Sequence, residues 1–272
     1  MKKANIAVIV EGENREPAIV RNMQSFFFKG EQIKIITLPA AQNIYMLWKI
    51  LKEDDFETDI IEILRESSEK SAEELRDFSR DDFSEIYLFF DYDGHQMNLP
   101  AEENGETVLD EMLRSFDNET ENGKLYLSYP MVEALRDIGE RGCAGVTGCE
   151  ISLTECEEYK RSSAENIRTS QISHYQFSDW ETALDFFAMR VSCLFEREEV
   201  FTYQDYKRIV SPLEIYRKQR ERLRDDRIFV LSAFPEFLLD YQKGSFWRSK
   251  VKKKHNYRSF CQQREGNKYT EG

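Results

Sequence analysis

Continuous apolar runs alternate, through the first half of the chain, with stretches whose apolar residues recur every three or four positions. The first run, Asn5 to Val10, is rich in Ile and Val and suits a strand covered on both faces. Glu16 to Phe28 follows at helical spacing, with Pro17 tolerated in its first turn. Gln32 to Leu38 predicts a second strand, and Asn43 to Leu51 and most of Thr58 to Phe78 predict helices. Glu85 to Phe90 is a third apolar strand and Lys124 to Ser128 a fourth. Strands separated by helices predict βαβ units, hence an α/β fold with a mostly parallel sheet flanked by helices. Sheets of this kind carry their ligands beyond the carboxyl ends of the strands.

The pattern changes at Gly139, Gly142, Gly145 and Gly148, the one glycine-dense stretch of the sequence. A loop there marks a boundary, with a sheet-based domain over residues 1–140 and an accessory region over 141–272. No Gly-Lys-Ser/Thr follows, so the cluster is not a P-loop. Trp180, Leu184, Phe187, Val191 and Leu194 then recur at helical spacing, and Pro212 to Arg224 and Pro235 to Tyr241 read as further helices. The second region is therefore expected to be mainly helical.

Forty per cent hydrophobic residues over 272 positions suffice for a core, which excludes global disorder. The first apolar run ends after five residues in Glu11-Gly12, too short for a secretory segment, and no run reaches the roughly 18 residues of a membrane helix. Five cysteines at irregular spacing argue against a disulfide framework, so the expected location is cytoplasmic. The net charge of −13 disfavours general attraction to nucleic acid. Its distribution alters that view: from Lys243 onward nine Lys/Arg face two Asp/Glu, a basic tail able to touch phosphates. Between Glu53 and Glu85, 14 acidic residues face four basic ones, a solvated helical surface or a face for a basic partner.

Two acidic groupings fall where a parallel sheet would hold a ligand. Phe90-Asp91-Tyr92-Asp93-Gly94 delivers two carboxylates at the end of an apolar strand, with a glycine that permits a sharp turn. Acids so placed repel each other unless a cation lies between them, which invites Mg²⁺ or Mn²⁺; the structural alternative is an Asp capping its own turn. Val10-Glu11-Gly12 aims a third carboxylate at the same edge, with Glu16 close behind. Glu16 suits a first-turn helix-dipole role equally well.

Strand–Glu-Gly followed by strand–Asp-x-Asp resembles the Toprim domain of topoisomerases, primases and several nucleases. The strings VEGENREP, LFFDYDG and LSYPMVEAL are similar to those of bacterial defence Toprim proteins, among them RloB-like proteins, OLD-related nucleases and the Toprim effector of PARIS anti-phage systems. The resemblance covers about residues 4 to 140 and includes a Ser-x-Pro-x-x-Glu-like motif at Ser128, Pro130 and Glu133. It implies a Toprim-like fold in which Glu11, Asp91 and Asp93 are catalytic, Glu11 as general acid/base or metal ligand. Asp91 and Asp93 would hold one divalent ion, and Glu16 and Glu133 would help hold a second, so that two ions clamp a phosphodiester. OLD-type sites also use a late lysine, for which Lys124 and Lys160 are the candidates. The implied activity is metal-dependent endonucleolytic cleavage of RNA, with tRNA as one target, or of DNA, in antiviral defence. The implied partners are the nucleic-acid substrate and an ABC/SMC-type ATPase, since this sequence holds no Walker motif. A homodimer and no membrane contact complete the expected associations.

Two rival readings use the same residues. Strand–Asp-x-Asp-Gly is also similar to the nucleophile motif of haloacid-dehalogenase phosphatases, with Asp91 attacking phosphorus. That family normally has Thr or Val where this chain has His95, and it leaves Glu11-Gly12 without a role. The other rival is a non-catalytic, partner-binding Toprim-like module. Cys143, Cys149 and Cys156 are separated by gaps of five and six residues, outside the two-to-four-residue gaps of structural zinc sites.

Overall fold

The computed structural model describes residues 4–28, 33–92, 105–138, 149–165, 171–197 and 199–247. The chain divides into two compact units, Met1–Leu127 with Ile172–His174, and Ser128–Gln171 with Tyr175–Gly272. The glycine cluster lies outside the described residues.

The first unit is built on β1 (Ala4–Val10), whose residues from Ile6 to Val10 are buried, as their unbroken apolar run requires. It pairs in parallel with β2 (Ile33–Pro39) on one side and β3 (Phe83–Asp91) on the other. Beyond β3 come β5 (Gly123–Ser128) and, antiparallel to it, the two-residue β4 (Asp117–Asn118), giving the order β2-β1-β3-β5-β4. The expected α/β sheet is present, flanked by helices. Gly123 at the start of β5 takes φ of +107°, which strains any other residue, and a Cβ there would lie 2.6 Å from Leu88 Cδ1.

Helix α1 (Arg15–Phe27) returns the chain from β1 to β2, and Asn43 caps α2 (Ile44–Glu53) by accepting the Met46 amide at 3.0 Å. The single long helix expected over Thr58 to Phe78 is instead two, α3 (Ile60–Ser67) and α4 (Glu69–Glu74). Ser68 makes the break. Its backbone is extended and its hydroxyl accepts the Ser71 amide, the local bond by which serine competes with helix continuation. Helix α5 (Gly105–Ser115), which the pattern analysis did not single out, buries Val108, Leu109, Met112 and Leu113. Trp48 on α2 meets Phe56 and Phe116 edge-on at ring separations of 5.4 and 5.8 Å, closing the core on that side.

The second unit is mainly helical in its described part, with α6 (Cys156–Glu165), α7 (Phe177–Leu194), α8 (Tyr203–Ile209), α9 (Pro212–Leu223) and α10 (Ala233–Tyr241). Trp180, Leu184, Phe187, Val191 and Leu194 form the buried face of α7, as their spacing predicts. A short antiparallel ribbon not anticipated from the pattern, β6 (Glu150–Ser152) with β7 (Arg227–Phe229), joins these helices. Gln219 on α9 mimics a further strand: its amide donates to the Phe229 carbonyl and accepts the Phe229 amide, both at 2.9 Å. Arg190 is buried, donates to Asp137 at 3.0 Å and to the Val230 carbonyl at 3.1 Å, and so ties α7 to the chain ahead of β6 and to the residue after β7. No described helix is long and apolar enough to cross a membrane.

Candidate functional site at the carboxyl edge of the sheet

Parallel pairing of β1 and β3, with Val10 opposite Phe89, delivers Glu11 and Asp91 to the same edge. Glu11 is held there through its main chain. Its amide donates to the Phe89 carbonyl at 3.3 Å, and its carbonyl accepts the Ala41 amide at 3.1 Å. The pairing thus runs one residue past the strand on both sides, and it turns the Glu11 side chain toward β3, where Oε2 accepts the Asp91 amide at 3.2 Å. Ala41 takes φ of +55° to make its bond, a left-handed conformation unusual for a residue with a Cβ.

Glu16, in the first turn of α1, is folded back over the β1–α1 loop. Its carboxylate lies over Gly12, so close that a Cβ on Gly12 would sit 2.5 Å from Oε2. Gly12 is therefore a close-approach glycine, and its missing side chain leaves room for the Glu16 carboxylate above the loop. Glu13, between them, points elsewhere and pairs with Lys70 of α4 at 2.9 Å. Neither Lys70 nor Ala41 was legible as a site residue, since nothing in spacing along the chain links either to Glu11 or Glu13.

Asp93 and His95 lie outside the described residues, as does the basic tail from residue 248 onward. Glu133 belongs to the second unit, where it is buried in the helical turn Val132–Arg136. In that unit Ser128 accepts the Ala233 amide at 3.3 Å, and Tyr129 and Leu231 exchange both backbone bonds at 2.7 and 2.9 Å. The motif around Pro130 thus has a structural task. Burial, then the charge of Asp137, with Arg190 opposing and Glu133 adding, pushes the Tyr159 hydroxyl well above its usual range. Lys124 lies 5.6 Å from the centre of the Tyr126 ring.

Carboxylate oxygens are the donors that Mg²⁺ and Mn²⁺ favour, so the chemistry of Glu11, Glu16 and Asp91 fits such an ion. Among the described residues no group of three or more His, Cys, Asp and Glu side chains stands ready to hold a metal. Asp93, two residues beyond Asp91, is outside that set.

What the fold defines is a class: an α/β protein with a mostly parallel five-stranded sheet. No family model matches the chain, and no curated protein or solved structure matches it either.

Proposed function

We propose that this chain is a metal-dependent endonuclease that hydrolyses phosphodiester bonds of RNA or DNA. The observation that carries the reading is the pairing of Glu11 with the Asp91 backbone at the carboxyl edge of a parallel sheet. Ligands bind at that edge in open α/β folds. Glu11, Asp91 and Asp93 are the residues that would hold Mg²⁺ or Mn²⁺, with Glu16 supporting them. A divalent ion held there would supply positive charge to the phosphodiester and activate water for its hydrolysis. The chain's own contribution is to fix Glu11 and Asp91 at the ends of paired strands and to let Glu11, its orientation set by the Asp91 amide, receive or return a proton. The resemblance of VEGENREP and LFFDYDG to defence Toprim proteins extends the reading to an antiviral effector restrained by an ABC-type ATPase.

The test compares Glu11→Gln with Asp91→Asn on nucleic acid and on a small phosphomonoester, with Mg²⁺ and with Mn²⁺. The expected result is loss of nucleic-acid cleavage in both variants and phosphomonoesterase activity in neither. Phosphomonoester turnover that survives in Glu11→Gln and disappears in Asp91→Asn would instead establish Asp91 as a covalent nucleophile. Expression in cells covers a purified chain that is silent on every substrate. Toxicity that depends on Glu11 supports a restrained nuclease, and absence of toxicity under phage challenge supports a binding module.

A further inference from the structure

Lys70 is distinguished by how it is mounted. The Ser71 hydroxyl, fully buried, donates to the carbonyl of Pro39, the last residue of β2, at 2.8 Å. Ser68 starts α4 one turn earlier, and Leu75 is buried just past the end of that helix. These bonds clamp α4 to the carboxyl end of the strand next to β1. From this mounting Lys70 Nζ reaches a single residue of the β1–α1 loop twice, the Glu13 carboxylate at 2.9 Å and the Glu13 carbonyl at 3.4 Å. A grip on both the side chain and the main chain restrains the path of the loop as well as its charge. That loop is the span between Glu11 and Glu16.

We infer that Lys70 is a positioning residue for the carboxylate edge: it holds Glu13 away from Glu11 and Glu16 and thereby sets the affinity of that edge for a divalent cation. The metal half of the inference rests on the function proposed above; the loop restraint rests on the geometry alone. Once the grip is released, the loop is free to bring the Glu13 carboxylate toward the edge as an additional oxygen donor. More negative charge then faces an incoming cation, while the spacing of Glu11 and Glu16 is relaxed. Loss of Lys70 is therefore expected to tighten divalent binding, and that gain depends on Glu13. Both partners are about half exposed, so the pair is screened and its effect modest, about two- to five-fold in loop opening.

The experiment uses the full chain and two readouts that need no catalytic activity. Hydrogen–deuterium exchange over residues 11–16 is measured for the parent, Lys70→Ala, Lys70→Arg and Glu13→Gln. Mn²⁺ affinity is measured by titration followed by electron paramagnetic resonance for the same proteins and for the Lys70→Ala/Glu13→Gln double variant. Exchange should quicken about two- to five-fold in Lys70→Ala and in Glu13→Gln, and recover in Lys70→Arg. Mn²⁺ should bind more tightly to Lys70→Ala and return to parental affinity in the double variant. Parental exchange rates in Lys70→Ala, with Mn²⁺ still bound by the parent, overturn the inference and leave the metal reading standing. Faster exchange with no Mn²⁺ binding by any protein keeps the loop restraint and sinks the metal reading.

Discussion

The backbone amide of Asp91, at the end of β3, donates to Oε2 of Glu11, the residue that follows β1, at 3.2 Å across 80 positions of sequence. The bond depends on side-chain length. Aspartate at position 11 would keep the charge but fall short by about 1.5 Å, one carbon–carbon bond. Glu11→Asp is therefore expected to lose most nucleic-acid cleavage while its thermal midpoint stays within about 2–4 °C of the parent. Parallel activity and melting measurements check this, and full activity in Glu11→Asp would show that the contact with Asp91 is dispensable.

Gly12→Ala addresses Glu16. The new methyl collides with the Glu16 carboxylate, the movable end of a flexible side chain, so the protein should fold and Glu16 should swing away. If Glu16 supports a divalent ion, Gly12→Ala and Glu16→Gln weaken Mn²⁺ binding alike, and combining them adds little. Additive losses measured by titration would mean that Gly12 acts through something other than Glu16.

Asp137 and Arg190 test the second unit. Both are buried, and removing one partner leaves the other charge without its counter-ion in the interior. Asp137→Ala is expected to cost about 3–5 kcal/mol, whereas Asp137→Leu with Arg190→Met should cost markedly less, because no charge is then stranded. Urea denaturation decides between these outcomes. Equal losses in the single and double variants would show that the pair's packing, rather than its charge, matters.

Cys156 makes a pH prediction. Burial, followed by the charges of Asp226 and Glu155, raises its thiol above the ordinary value of about 8.5. Only the thiolate is alkylated, so at pH 8 iodoacetamide should label Cys156 more slowly than an unperturbed thiol and catch up only at higher pH. Asp226→Asn should shift that profile toward lower pH. Peptide-resolved mass spectrometry reads it directly, and a profile unchanged in Asp226→Asn would assign the shift to burial and Glu155 without Asp226.

The unbroken Ile/Val run from Ile6 to Val10 and the apolar Ile86 to Phe90 announced buried strands, because a strand covered on both faces cannot carry polar residues. The position of Glu11 and Asp91 just where those runs end was equally plain, since it is read along the chain. The face of α7 was legible for the same reason: Trp180, Leu184, Phe187, Val191 and Leu194 record locally which side a helix hides. Local periodicity does not say which elements meet. That β1 lies between β2 and β3, so that Glu11 bonds to Asp91, follows from strand pairing. The break at Ser68, Ser71 anchored on Pro39 and Lys70 carried to Glu13 are equally consequences of packing, as is Arg190 reaching Asp137 across 53 positions. Periodicity reports what each segment buries, whereas a side chain's partner depends on how segments distant in sequence are brought together, and that is decided only when their buried faces close on one another.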